Sequence, residues 1–230
     1  MLLMFYKRMK KVSLLSLVGI AGLATLCVFL LFGQSTKSKT STKQSQSMQS
    51  TTLDTATLGT GCFWCTEAIL QDLKGVHSVA SGYGGGHVRN PSYKEVCNGT
   101  TGHAEACQVT FDPAVISFAE LLEVFWKIHD PTTKDRQGND VGPQYRSVIF
   151  YHTEAQKKEA EHYKKELDAS GAFDAPIVTE ISPFTNFYKA EEYHQNYYNE
   201  NGSQPYCLFV IRPKVEKFKK VFKAKLKEAE

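Results

Sequence analysis

The chain lacks a second closely spaced cysteine pair, and this limits what its first pair can do. Cys62 and Cys65 have the spacing of a zinc half-site, but a structural zinc needs further ligands, and no matching pair exists. A strong charge excess is also missing. With 27 basic and 24 acidic side chains the net charge is +3, too mild to argue for a nucleic-acid partner. Six cysteines in 230 residues do not make a disulfide scaffold. The long apolar run near the N-terminus ends at Leu30-Leu31-Phe32 without the small-x-small site of a cleavable signal peptide. Leu26, before Cys27, is too bulky for a lipoprotein signal.

What is present suits one domain plus an appendage. Hydrophobic residues make up 42% of the chain and aromatic residues 12%, enough for a sizeable core. Lys7, Arg8, Lys10 and Lys11 precede an uncharged run from Val12 to Gly33. About twenty helical residues cross a bilayer core of roughly 30 Å, so the run reads as an uncleaved anchor rather than a signal peptide. The upstream cations favour the N-terminus inside, which places the rest of the chain outside the cytoplasm. Lys37, Lys39 and Lys43 weaken that bias. Gln34 to Thr52 is rich in Ser, Thr, Gln and Lys without an apolar period and reads as a disordered tether. Three regions result: residues 1–33 as anchor or signal segment, 34–52 as tether, and 53–230 as the folded domain.

The folded part is organised around Gly61-Cys62-Phe63-Trp64-Cys65-Thr66-Glu67. A strand is predicted over Thr55–Thr60 and a helix over Glu67–Leu73, so Cys62 falls at a helix start. Unpaired N–H groups and the helix dipole there favour a thiolate, with a pKa below the usual value of about 8.5. Cys65 lies on the same helix face, at a Cα separation of about 5 Å that suits a disulfide. The competing reading is plain packing, with Phe63 and Trp64 as core aromatics and the cysteines as small buried hydrophobes.

Strands are predicted over Val76–Tyr83, His103–Phe111, Tyr145–Tyr151, Ile177–Ile181 and Cys207–Ile211. Glu105 shares a strand face with Cys107, Val109 and Phe111. It is either the wet end of that strand or a carboxyl in an apolar site, its pKa raised so that it can donate a proton. Ser117 with Glu120 and Thr153 with Gln156 form capping boxes for two helices, the second ending at Gly171. Phe184 to Tyr198 is dense in aromatics and reads as mainly structural. Pro213 starts a last helix with Val215, Phe218, Phe222 and Leu226 inward and a lysine-rich, solvated outer face. Strands interleaved with helices predict an α+β domain, a mixed sheet covered by helices.

Short motifs then occur in a telling order: Gly-Cys-Phe-Trp at 61–64, Asn90-Pro91-Ser92-Tyr93, Thr101-Gly102-His103-Ala104-Glu105, Gln137-Gly138-Asn139-Asp140, Gln144-Tyr145-Arg146-Ser147, Tyr193-His194-Gln195 and Pro205-Tyr206-Cys207. The series resembles the A-type peptide methionine sulfoxide reductases. The resemblance implies a ferredoxin-like α/β core and reduction of methionine-(S)-sulfoxide in oxidised proteins and peptides. It implies Cys62 as nucleophile, Glu105 as acid, and Tyr93 and Tyr145 as hydroxyl donors to the sulfoxide oxygen. Phe63 and Trp64 become the wall for the substrate methyl group, Asp140 orients the substrate backbone, and His194 assists in binding. Cys65 and Cys207 are the candidate resolving thiols, with Cys65 expected first because it is near in sequence and leaves a pair open to an external dithiol. Cys97 and Cys107 are expected as buried structural thiols. The implied enzyme is a monomer with no metal and no bound cofactor, turned over by a thioredoxin-like dithiol. Two features depart from the commonest pattern. Cys65 stands where many relatives carry glycine, and the anchor-like N-terminus is extra and points away from a cytoplasmic thioredoxin. A thiol–disulfide oxidoreductase using Cys62 and Cys65 alone, or an exported tethered binding module, are the readings from other classes.

Overall fold

The computed structural model describes residues 52–228. The apolar N-terminal run, and all but the last residue of the polar segment after it, lie outside the described residues. Among those described, no helix is long and apolar enough to cross a membrane.

The chain runs through strand β1 (Asp54–Thr60), helix α1 (Phe63–Leu70), β2 (Val76–Gly84), α2 (Tyr93–Cys97), β3 (Ala104–Phe111), α3 (Phe118–Ile128), β4 (Ser147–Tyr151), α4 (Glu154–Ser170), β5 (Glu180–Pro183), β6 (Phe187–Lys189) and α5 (Arg212–Val221). The main sheet has six strands in the order β5-β4-β1-β3-β2-β6. Its centre, β4-β1-β3-β2, is antiparallel throughout and connected β-α-β-β-α-β, the ferredoxin-like arrangement. β5 adds in parallel to β4, which makes the sheet mixed. β1 and β3 occupy the middle, and Ala56, Leu58, Cys107 and Val109 on them are fully buried. The tip of β1 and the start of β3 therefore meet where solvent is excluded.

Local chemistry sets the element ends. Ser117 accepts from the Glu120 N–H, and the Glu120 carboxylate accepts from the Ser117 N–H, completing the capping box before α3. Thr153 accepts from the Gln156 N–H, but the Gln156 side chain turns to the His152 N–H, so the second box closes only on one side. Gly171 ends α4 in the left-handed conformation. Gly61, between β1 and α1, has φ 95°. A Cβ there would lie 2.6 Å from the Gln137 Cβ, so the turn that delivers Cys62 requires glycine.

Two predicted strands differ, and Tyr93–Cys97, which carries no predicted element, is a helix capped by Ser92 and Glu95 in a reciprocal box. The strand expected over Ile177–Ile181 is displaced to Glu180–Pro183. Cys207–Ile211 is a helical turn running into α5, not a strand. The buried positions Cys207, Ile211, Val215, Phe218 and Phe222 recur every three or four residues, a helical stripe. Phe209, on the opposite side, is 78% exposed, which a buried strand would not allow. After α5 the tail pairs with the loop following α1: the Lys74 N–H donates to the Lys225 carbonyl and the Lys227 N–H to the Asp72 carbonyl. Leu226 lies in that pairing rather than on the helix.

Replacing Gly61 by alanine should destabilise the domain by more than about 1 kcal/mol, since the native φ is positive. Denaturant unfolding measures this, and an unchanged midpoint would show that the turn relaxes freely.

Candidate active site

The N–H of Phe63, the first residue of α1, donates to Glu105 Oε2 at 3.0 Å. This bond places the Glu105 carboxyl beside Cys62 at the helix start. Cys62, Phe63, Trp64, Tyr93, Glu105, Asp140, Tyr145 and Tyr206 line a cavity of about 190 Å³, room for one side chain. A larger cavity of about 250 Å³ lies against α5, lined by Lys127, His129, Asp130 and Lys214 among others, and it contains no cysteine.

Glu105 is 2% exposed, which excludes the wet end of a strand. Burial pushes its pKa well up, the neighbouring Cys62 adds to the rise, and the Phe63 N–H opposes it without prevailing. The carboxyl is thus a proton holder. Burial likewise raises Tyr93 and Tyr145, so both hydroxyls remain O–H donors.

The expected lowering of Cys62 by the helix dipole is not met. Cys62 is buried, and burial pushes its thiol well above the usual range. Cys65 moves the other way, lowered by its hydrogen bond with Cys62 against the effect of burial, with the Lys214 cation assisting. The two thiols thus act as one unit that gives up a first proton and holds the second, and the charge belongs to the pair. The Cys65 backbone N–H and the Tyr206 hydroxyl both face Cys62 and favour a thiolate there.

A wall of rings closes the site. Trp64 stacks on Tyr197 with centroids 3.8 Å apart and planes 8° apart. Its Nε1–H donates to His194 Nδ1 at 3.1 Å. Tyr197 is itself placed by buried Glu67 of α1, whose carboxyl accepts from the Asn196 and Tyr197 N–H groups. The aromatic segment read as structural is therefore part of the site. His194 does not line the cavity but holds Trp64 from behind. Cys207 is fully buried, and burial and then the Cys62 charge raise its thiol. Cys107 is buried as expected, donating to the Phe63 carbonyl. Cys97 is exposed, contrary to expectation, because it sits at the solvent-facing end of the five-residue helix α2. Nor is the Cys62–Cys65 pair open to solvent, since both thiols are buried.

Sequence reasoning missed Tyr206, whose hydroxyl donates to Asp140 Oδ2 at 2.7 Å while facing Cys62. Its place in the Pro205-Tyr206-Cys207 motif was the available signal. It also missed Glu191, which joins Tyr83 to the Tyr93 backbone.

The family described as peptide methionine sulfoxide reductase matches residues 54–226. The chain belongs to the peptide methionine sulfoxide reductases. It is similar to the peptide methionine sulfoxide reductase MsrA of Saccharolobus solfataricus, 55% identical over 175 residues that cover 76% of this chain and 98% of the relative. An MsrA of Thermus thermophilus is 55% identical over 172 residues, 75% of this chain and 97% of the relative. Among solved structures, reduced Mxr1 from Saccharomyces cerevisiae matches with TM-score 0.63 at 40% identity, covering 67% of this chain and 89% of that one. Methionine sulfoxide reductase A of Corynebacterium diphtheriae matches with TM-score 0.59 at 37% identity, over 65% of this chain and 75% of that one. The chain is accordingly a peptide-methionine (S)-S-oxide reductase, an enzyme of protein repair, and the general thiol–disulfide oxidoreductase reading is not favoured.

As a reductase with a buried neutral acid, it should show a specific pH signature. Because the folded pKa of Glu105 lies above the ordinary carboxyl value of about 4.3, wild-type stability falls as pH rises from that value through the raised pKa. Glu105→Gln carries no proton to lose. The variant's melting temperature relative to wild type should therefore rise between pH 4 and pH 8, and a constant difference would show that Glu105 is not held neutral.

Proposed function

We propose that Cys62 Sγ attacks the sulfoxide sulfur of a methionine sulfoxide side chain held in the cavity. The observation that carries this is the Phe63–Glu105 hydrogen bond, which sets a buried proton-holding carboxyl against the cysteine. The sulfoxide oxygen leaves only as it is protonated, so an acid and O–H donors must converge on it. Glu105 supplies the proton, and Tyr93 and Tyr145 donate hydrogen bonds to the oxygen. Phe63 and Trp64 hold the methyl group, which has no polar handle. Asp140 and Tyr206 meet the substrate backbone, and His194 secures Trp64. A bond forms from Sγ to the sulfoxide sulfur as the S–O bond breaks and the oxygen departs as water. Water then attacks Sγ, methionine leaves with the electron pair of the S–S bond, and Cys62, oxidised by two electrons, becomes a sulfenic acid.

Cys65 then attacks the Cys62 sulfur, a disulfide forms and water departs. The hydrogen bond between the two thiols supports Cys65 as the first resolving group. The pair is buried, so a thioredoxin-like dithiol reaches it only once the segment bearing Tyr206 and Cys207 moves. Cys207 on that segment suits a shuttle that carries the disulfide outward. Residues 1–33 and 34–52 would anchor and tether the domain outside the cytoplasm, a reading supported by the basic cluster ahead of the apolar run. Protease added to spheroplasts should release the domain, and protection beside a cleaved external control would reverse the orientation.

Cys62→Ser should abolish methionine formation, and wild-type rates would sink the mechanism. Peptide mapping after one equivalent of substrate should find Cys62–Cys65 first. A Cys62–Cys207 bond as the earliest species, with normal turnover in Cys65→Ser, would exchange the two roles.

A further inference from the structure

Glu191 precedes the helical turn Glu192–His194 and does not itself line the cavity. Its two carboxylate oxygens are nonetheless committed to the site. Oε1 accepts from the Tyr93 backbone N–H at 2.9 Å. Oε2 accepts from the Tyr83 O–H at 2.8 Å, and Tyr83 is wholly buried in β2. Burial pushes the Glu191 carboxyl up, but the N–H and O–H donors outweigh it and hold the group below the usual carboxylate range.

A third group, His194, lies close by without a hydrogen bond to Glu191. His194 Nδ1 accepts from the Trp64 Nε1–H, so in neutral His194 the proton sits on Nε2. That nitrogen is buried and has no hydrogen-bond partner. It lies 4.0 Å from Glu191 Oε2, so an N–H without an acceptor faces a carboxylate. Glu191 thus ties the Tyr93 wall of the cavity to Tyr83 of β2, and its carboxylate lies near His194 without a hydrogen bond to it.

We propose that Glu191 is a positioning residue of the reductase, fixing the Tyr93 hydroxyl on its side of the sulfoxide through hydrogen bonds from the Tyr93 backbone N–H and the Tyr83 hydroxyl. The inference rests on the role given to Tyr93 above. The Glu191 side chain is 34% exposed, so truncating it leaves no core cavity, although the O–H of buried Tyr83 loses its acceptor and stability falls. A hydroxyl that stabilises leaving oxygen in the transition state loses much of its benefit when displaced.

The test is a double-mutant cycle of Glu191→Ala with Tyr93→Phe, read by single-turnover release of methionine from a methionine-(S)-sulfoxide peptide, with thermal melting alongside. Glu191→Ala should slow release about tenfold or more, a share of the roughly 10²–10³ that loss of a whole such donor costs, with a lowered melting temperature that still leaves the domain folded at the assay temperature. In the Tyr93→Phe background the same truncation should do much less. Glu191→Gln keeps one oxygen for the Tyr93 N–H and should recover part of the rate. Independent, multiplying losses in the double variant, or a wild-type rate in Glu191→Ala, would overturn the proposal. A wild-type rate in Tyr93→Phe would instead remove the role of Tyr93 on which it stands.

Discussion

The 3.0 Å hydrogen bond from the Phe63 N–H to Glu105 ties the start of α1 to the central strand β3. Everything at the site depends on that attachment, because it fixes the Glu105 carboxyl and Cys62 in one dry corner. Two physical effects oppose each other there. A free N–H at a helix start favours an anion. Exclusion of water disfavours one, and for both Glu105 and Cys62 burial is the larger effect. Cys62 also raises Glu105, since two negative charges side by side are worse than one. The resting site therefore holds the Glu105 proton, while negative charge on the thiols belongs to the pair.

The fold supplies the dryness. β1 and β3 are the inner strands of the six-stranded sheet, and the turn carrying Cys62 leaves directly from β1. Gly59 permits close contact there, since a methyl group at this position would meet the Val148 side chain at 2.8 Å and the Glu105 carbonyl at 3.0 Å. Covering elements come from far along the chain: the 184–198 segment brings Tyr197 and His194 to Trp64, and the 201–211 segment brings Tyr206 and Cys207 to Cys62.

What was legible in the sequence followed from range. Capping boxes act over three residues, so Ser117 and Glu120 could be read directly, whereas Gln156 was diverted to His152 by its tertiary setting. Strand alternation revealed that Glu105 shares a face with Val109 and Phe111, but not whether that face was wet at its end. Motif order located Cys62, Phe63, Trp64, Tyr93, Glu105, Asp140 and Tyr145, which do meet at one cavity. The apolar run Cys207–Ile211 suits either a strand or a helix taken alone, and only the continuation to Val215 and Phe218 decides it. Tyr206 and Glu191 escaped because their partners are 66 and 98 residues away. Nothing local marks a tyrosine or a glutamate as one end of such a bond.

Dryness also sets the order of events. A buried thiol pair is protected from adventitious oxidants, which need a thiolate they can reach. For the same reason it is hidden from the dithiol that must reduce it. The segment that hides it carries Cys207 on its buried side and the 78% exposed Phe209 on its outer side. Displacing that segment would remove the Tyr206 hydroxyl from Cys62 and Asp140 at the same moment that it brought Cys207 toward solvent. In the mechanism proposed above, disulfide formation would remove the thiol that Tyr206 faces and so weaken the hold of that segment on the site.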